Sequence, residues 1–227
     1  AEPPAAKRRR RLPQAPGHDA VVDVERLGSE QGMSNQDLLV AVRTLATGGL
    51  DNSSSTMLLR AMVPREPVGQ DVVCAVVGGL WSLDTHQQRV GLLKWLLLAF
   101  DSMTQRAQAA LRALYSQFFQ LLEYETLRYW AVRVLYMITT RDHILPFRVR
   151  RLFALVAKLS SGGQPALHVY QLLELYAKYY PNIALPSRPS SRGAPSLFKP
   201  VDVTWAQRVA AVMTRAAAED DGVGAAG

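Results

Sequence analysis

Residues 90–100 read Val-Gly-Leu-Leu-Lys-Trp-Leu-Leu-Leu-Ala-Phe, an apolar run with one charged residue, Lys94. The run is about one third too short to span a bilayer as a helix. Most helices of globular proteins carry one apolar stripe, whereas this segment would be apolar on nearly all sides. The stretch therefore predicts a helix enclosed between layers of other helices.

Helical periodicity extends in both directions from this segment, and strand patterns are nearly absent. The predicted helices cover residues 20–31, 34–47, 53–62, 70–83, 85–102, 104–123, 126–140, 146–159, 165–180 and 202–218. Ser34, the serines at 53–55 and Asp84 suit N-cap positions. Pro146 and Pro165 suit a first helical turn, where proline gives up no hydrogen bond.

The pairing of these helices predicts an all-α fold. The first helices of three pairs start near residues 70, 104 and 146, which is close to the period of two-helix repeats. In such arrays each hairpin buries its faces against its neighbours, as the segment at 90–100 requires. We expect HEAT-like helical-hairpin repeats that form an α-solenoid, with a compact bundle as the alternative.

The predicted organisation is one folded module with flanking segments. Residues 1–19 contain prolines and the block Lys-Arg-Arg-Arg-Arg at 7–11, and we expect a disordered basic tail there. Residues 20–180 form the repeat domain, 181–200 a connector rich in proline and serine, 201–218 the last helix, and 219–227 a disordered end. A first residue other than Met suggests a fragment of a longer protein.

The sequence lacks the motifs of catalysis and of cofactor binding. No two of its four histidines lie three or four residues apart, and no glycine-rich phosphate loop or Gly-x-Ser-x-Gly motif occurs. The single cysteine, Cys74, excludes a disulfide framework and a cysteine-based zinc site, and its apolar neighbours predict a buried side chain. We expect no enzyme, no metal and no cofactor.

Positive charge is concentrated in residues 141–192, where eight basic residues face two acidic ones and give a net charge of +6. A basic folded face suits nucleic acid, an acidic protein or an anionic membrane. Arg148, Arg151 and Lys158 fall at helical spacing, although a merely solvated face fits equally well. The candidate contacts for DNA or an acidic partner are Arg148, Arg151, Lys158, Arg188 and Arg192.

The helix predicted over residues 104–123 has more apolar residues than one buried stripe needs. Phe118 and Phe119 are adjacent, so their side chains point about 100° apart. We therefore expect one of the two rings to face a partner or a seam between repeats. The residues predicted to bind a partner are Tyr115, Phe118, Phe119 and Leu122, and the face at residues 176–180 is the alternative.

Three elements between residues 141 and 208 form a recognisable pattern. They are Pro146-Phe147-Arg148-Val149-Arg150-x-Leu152, Leu172-Leu173-x-Leu175-Tyr176-x-Lys178-Tyr179-Tyr180-Pro181, and Phe198-Lys199 with Trp205 beyond it. Their order and spacing resemble the N-terminal helical-repeat region of the centromere protein I (CENP-I) family, a fungal-type inner-kinetochore subunit. Residues 20–140 agree with this family only in being helical.

The resemblance implies a non-catalytic scaffold in the nucleus, at the centromere and kinetochore of the chromosome. Such scaffolds join centromere proteins H, K and M, and the implied surface for H and K is hydrophobic. Centromeric DNA is a second implied partner, in agreement with the basic helix. The residues themselves leave two alternatives open, a helical domain that binds nucleic-acid phosphates and a generic HEAT-like adaptor.

Overall fold

The computed structural model describes residue 28 and residues 31–47, 49–83, 85–164, 166–189 and 196–224. Across these residues the regular elements are helices, and the β pairing consists of two isolated bridges. The helices are α1 (Asn35–Ala46), α2 (Asn52–Ala61), α3 (Gln70–Ser82), α4 (His86–Ala99), α5 (Gln105–Ala113), α6 (Tyr115–Gln120), α7 (Glu125–Ile138), α8 (Pro146–Ser161), α9 (Leu167–Tyr179) and α10 (Val203–Gly224). The predicted all-α class is confirmed.

The helices are stacked in two layers. One layer contains α1, α3, α5 with α6, and α8, while the other contains α2, α4, α7 and α9. Within the second layer α2 packs on α4, α4 on α7 and α7 on α9, and in the first layer α1 packs on α3 and α3 on α5. The hairpin partners α3 and α4, α6 and α7, and α8 and α9 pack across the layers. This arrangement is that of helical-hairpin repeats, so the predicted solenoid is confirmed.

Helix α4 lies at the centre of the stack. It contacts α2 and α7 within its layer, α3 across the layers and α10 on its remaining side. Leu92, Leu93, Trp95 and Leu96 are fully buried, and the Trp95 indole donates to the Met62 carbonyl at 2.6 Å. A Cβ at Gly91 would lie 2.4 Å from Leu59 Cδ1, so the glycine permits the close approach of α2. The enclosed position predicted for residues 90–100 is confirmed.

The helix starts agree only in part with the predicted caps. Ser34 caps α1, since its hydroxyl accepts from the Asp37 amide at 3.2 Å. Helix α2 is capped by Asp51, whose carboxylate accepts from the Ser54 amide at 2.9 Å, so the predicted serine cap is wrong. The serines lie inside the helix, where Ser55 accepts a hydrogen bond from Gln88 at 2.8 Å. Thr85 caps α4, and Asp84 and Pro165 lie outside the described residues.

The helix predicted over residues 104–123 is divided at Leu114. Helix α5 ends at Ala113, the Leu114 backbone leaves helical geometry with φ −85° and ψ 13°, and α6 begins at Tyr115. A 3₁₀ turn over Leu121–Glu123 then leads into α7. These two changes of direction alter which residues of the segment face the core.

After α9 the chain returns across the outer side of the second layer. Tyr129 donates to the Ser196 carbonyl at 2.9 Å, and Arg133 donates to the Lys199 carbonyl at 2.7 Å. Helix α10 then buries Trp205, Val209 and Val212, and it contacts α4. It continues to Gly224, beyond the predicted end at 218, because the Ala-Ala-Ala-Glu sequence at 216–219 favours helix. The predicted tail at 1–19, most of the helix predicted at 20–31 and residues 225–227 of the predicted end at 219–227 lie outside the described residues.

Candidate protein-interaction surfaces

The residues predicted to bind a partner lie in the core. Tyr115, Phe118, Phe119 and Leu122 have exposed fractions of 1%, 0%, 4% and 2%. These values contradict a partner-facing Phe118 or Phe119, whereas the alternative, a seam between repeats, agrees with the Phe119 ring lying 5.7 Å from the Arg148 guanidinium of α8. The break at Leu114 and the 3₁₀ turn after α6 place both rings among the helices, so the excess of apolar residues fills the core instead of a surface patch.

Tyr115 is the centre of a buried polar cluster between repeats. Its hydroxyl shares hydrogen bonds with Thr139 at 3.0 Å and with Tyr176 at 2.5 Å, and Thr139 donates to the Leu135 carbonyl at 2.6 Å. Burial raises the pKa of both phenols, so they stay protonated at neutral pH. The cluster joins α6, the end of α7 and α9.

Arg148 belongs to the core and not to a basic surface. Its side chain is 7% exposed, Nη1 donates to the His143 carbonyl at 2.8 Å, and Nη2 donates to the Ser116 hydroxyl at 2.7 Å. The guanidinium also lies 4.7 Å from the centre of the Tyr115 ring, a cation–π contact. The prediction of a phosphate contact at Arg148 is therefore wrong. The buried stripe of α8 includes this arginine together with Leu152, Leu155 and Leu159.

The other predicted basic contacts do not form one continuous cationic stripe. Arg151 pairs with Glu123 at 3.0 Å, and Arg188 approaches Glu174 at 3.9 Å. Lys158 is exposed on α8, and no ion pair is found for it within the described part of the chain. Arg192 lies outside the described residues. Two of the predicted positions thus have their charge partly neutralised by a neighbouring carboxylate.

The residues that carry the family pattern divide into core and surface positions. Pro146 opens α8 at an exposed position, in agreement with the predicted first turn. The buried members include Arg148, Leu152, Leu172, Leu173, Tyr176 and Trp205, and the exposed ones include Phe147, Arg150, Phe198 and Lys199. The Phe198 ring meets Tyr136 edge-on at 5.5 Å, although the side chain is 69% exposed. Packing within this chain therefore accounts for only part of the pattern.

An exposed aromatic surface lies at one end of the α8–α9 hairpin. Leu145 and Phe147 flank the start of α8, and Tyr179 and Tyr180 lie at the end of α9. The two helices are joined by a short linker and pack against each other, so these ends lie on the same side. Arg141 adds its guanidinium 5.1 Å from the centre of the Tyr180 ring. The surface formed by these five residues and Arg150 is called the terminal corner below.

Sequence reasoning placed only the tyrosines of this corner on a candidate surface. The sequence feature that could have indicated the exposure of Leu145 and Phe147 is their position at a helix start, outside the buried stripe at 148, 152, 155 and 159. Cys74 was also misplaced, since its side chain is exposed. The valines at 72, 73, 76 and 77 occupy the buried face of α3, which leaves Cys74 on the other side.

His168 is a buried titratable group at the start of α9. Its side chain is 7% exposed, its ring meets Tyr129 edge-on at 6.0 Å, and Nδ1 has no hydrogen-bond partner among the described residues. Burial, with a smaller effect from the charge of Arg128, lowers its pKa to about 4. The imidazole is therefore neutral in the folded protein at physiological pH.

We expect His168 to make the domain less stable as the pH falls. The unfolded chain takes up a proton near pH 6.5, whereas the folded chain resists protonation until about pH 4. The contribution of neutral His168 to the free energy of unfolding is therefore fully present above pH 6.5. It decreases as the pH falls towards 4, by roughly 2 kcal/mol between pH 7 and pH 5. Urea unfolding of the wild type and of His168→Asn at both pH values measures the difference, with His143 titrating in both proteins. Equal pH dependence of the two proteins would contradict this expectation.

No group of three His, Cys, Asp or Glu side chains in the described part of the chain is placed to hold a metal ion. Among the described helices, none has both the length and the apolar content needed to cross a membrane.

Comparison with known proteins identifies the family. The CENP-I family model, described as Mis6, matches residues 17–223. The chain belongs to this family. Centromere protein I of Mus musculus is 30% identical over 168 residues, 73% of this chain and 22% of that protein. The Gallus gallus protein is 29% identical over 193 residues, 85% of this chain and 25% of that protein.

The family match extends the resemblance beyond the three short elements of residues 141–208. The inner kinetochore subunit mis6 of Schizosaccharomyces pombe is 24% identical over 170 residues, which are 71% of this chain and 24% of that protein. The chain thus spans 22–25% of the length of these relatives. The resemblance to the CENP-I family is confirmed, including for residues 20–140, where no motif had indicated it.

Solved structures of the family share the fold. A crystal structure of centromere protein Cenp-I matches with a TM-score of 0.76 at 24% identity, covering 89% of this chain and 90% of that one. A chain of the Cenp-H/I/K triple complex of kinetochore subunits matches with a TM-score of 0.75 at 23% identity, covering 91% of this chain and 90% of that one. This helical stack is therefore also the fold of the matched Cenp-I chain.

Proposed function

We propose that this domain is a non-catalytic scaffold module of the inner kinetochore that binds centromere proteins H and K. In this role it supports centromere assembly and chromosome segregation in the nucleus. The observation that carries the proposal is the family match over residues 17–223, joined to the helical-repeat fold. The similar fold of a chain in a Cenp-H/I/K complex supports H and K as partners.

The geometry of the stack suits such a role. Helical repeats present long continuous surfaces, which serve protein contacts better than the chemistry of a small substrate. Large apolar side chains are exposed at separate places along the first layer, including Val40 on α1, Trp81 on α3 and Phe147 on α8. Exposed aromatic residues of this kind are enriched at protein interfaces.

Centromere protein M and centromeric DNA are further partners in this proposal. Protein M is supported by the family resemblance, and DNA by the charge of residues 141–192. The burial of Arg148 and the ion pairs of Arg151 and Arg188 count against a phosphate-binding stripe along α8. Arg150 and Lys158 are the exposed cations of that helix that remain for DNA. Membership of the CENP-I family counts against the alternative that the chain is a generic HEAT-like adaptor.

We expect the purified chain to form a complex with a recombinant H–K heterodimer, measurable by titration calorimetry. An interface with an apolar centre should keep most of its affinity between about 0.15 M and 0.5 M salt. Binding to a DNA duplex should fall steeply over the same range, because bound phosphates release counterions. A chain that remains folded but shows no complex at micromolar concentrations would contradict the proposed partners.

A further inference from the structure

The terminal corner combines apolar rings with unpaired positive charge. Phe147 is 50% exposed, Tyr179 41%, Leu145 39% and Tyr180 36%. Each of these exposed fractions is larger than that of the core side chains, which are at most 8% exposed. The last turn of α9 and the first turn of α8 thus present apolar surface that packing among the described residues does not use.

The charges of the corner lack partners of opposite sign. Among the described residues, no carboxylate forms an ion pair with Arg141 or Arg150. Glu123 and Glu174, the acidic residues that pair near this end of the stack, are engaged by Arg151 and Arg188. Arg141 is held at the Tyr180 ring by a cation–π contact instead. Asp142, the exposed carboxylate next to Arg141 in the sequence, forms an ion pair with neither arginine in the described residues, so a partner that covers this corner can supply the negative charge.

We propose that the terminal corner is a docking site for an acidic segment of the H–K heterodimer that inserts an apolar side chain beside Phe147. The proposal rests on the proposed function, and it locates one part of the interface on this chain. Phenylalanine, tyrosine and arginine are the residue types that anchor protein interfaces. The carboxylates of such a segment would pair with Arg141 and Arg150, which no other carboxylate of the described chain satisfies.

The composition of the corner favours a protein over a DNA duplex. A duplex is bound through a row of cations spaced to follow its phosphates. Here the corner contains four exposed apolar side chains and two arginines. Of the other cations of α8, Arg148 is buried and Arg151 is paired, which leaves Lys158 as a single exposed cation about two turns beyond Arg150. Apolar rings at half exposure gain from contact with a protein surface and gain little from a phosphate backbone.

A double variant with a matched control tests the site. Phe147→Ala with Arg150→Glu removes one ring and reverses one charge of the corner. The control, Tyr124→Ala with Arg106→Glu, makes equivalent changes at two exposed positions outside the corner that carry no proposed binding role. We expect the first variant to weaken H–K binding at least tenfold and the control to change it less than twofold. Arg150→Glu alone, which changes an exposed side chain, should weaken H–K binding severalfold. This single variant replaces the double variant as the test if the double variant does not fold.

The outcomes separate the two proposals. If the wild-type chain does not bind H–K at all, the proposed function fails and the docking site falls with it. If the wild type binds and both folded double variants bind equally well, the function stands and the docking site is overturned. If the corner variant keeps H–K binding but loses a DNA duplex at low salt, the occupant is nucleic acid, and the proposal is also overturned.

Discussion

Phe118→Asp is expected to leave the domain without a folded core at room temperature. The ring is fully buried, and removing it costs about 3–5 kcal/mol through lost burial and a residual cavity. A carboxylate in the same place adds several kcal/mol, because no cation is found close to that ring among the described residues. The sum approaches the total stability of an ordinary domain, about 5–15 kcal/mol. Loss of the cooperative thermal transition in circular dichroism would be the readout.

The same change at Phe147 is the control for this experiment. Phe147 is half exposed in the first turn of α8, where a carboxylate also faces the positive end of the helix dipole. Phe147→Asp should therefore keep the cooperative transition within a few degrees of the wild type. A folded Phe118→Asp protein with a normal transition would show that the ring is accessible instead of buried.

The fold could be predicted because its main signals are local. The segment at 90–100 has no polar face, so any structure that keeps it folded must cover it on several sides. The spacing of the helix pairs then restricts the architecture to a stack of hairpins. Prolines, glycines and the Ser34 cap mark several boundaries directly. The structure departs from these boundaries mainly where a competing cap was available, as with Asp51 at the start of α2.

The burial of the residues predicted to bind a partner could not be predicted, because it depends on a break that has no local signal. Leu114 lies between helix formers, with no glycine or proline nearby, yet α5 ends before it. A continuous helix would turn one of the adjacent rings, Phe118 or Phe119, outward. The observed break and the 3₁₀ turn instead place both in the core, where Tyr115 also bonds to Tyr176. Contacts between residues 61 positions apart decide this outcome.

Arg148 shows a second limit of reading charge from sequence. The same helix offers two stripes through this residue, one with Arg151 and Lys158 and another with Leu152 and Leu159. Charge counting favoured the first, whereas the structure buries the second. The guanidinium can be buried because it donates hydrogen bonds to the Ser116 hydroxyl and the His143 carbonyl and lies over the Tyr115 ring. None of these partners is adjacent to Arg148 in sequence.

Leu96→Ala is expected to destabilise the domain by about 2–5 kcal/mol. Its side chain is fully buried in α4, where helices on several sides hold their positions and limit collapse into the space. The measurement is the free energy of unfolding from urea titration followed by circular dichroism. The slope of that free energy with urea should stay unchanged, since the surface exposed on unfolding is nearly the same.

Leu97→Ala separates the observed orientation of α4 from a helix that is buried equally on every side. The sequence alone predicts the same large loss at both positions, because both leucines belong to one apolar run. In the structure Leu97 is half-buried, so its truncation removes less buried surface and opens a space that water reaches. We expect a loss well under half of that for Leu96→Ala. Equal losses in the free energy of unfolding would mean that α4 is rotated about its axis or covered by other residues. The packing of α10 against α4 would then be incorrect.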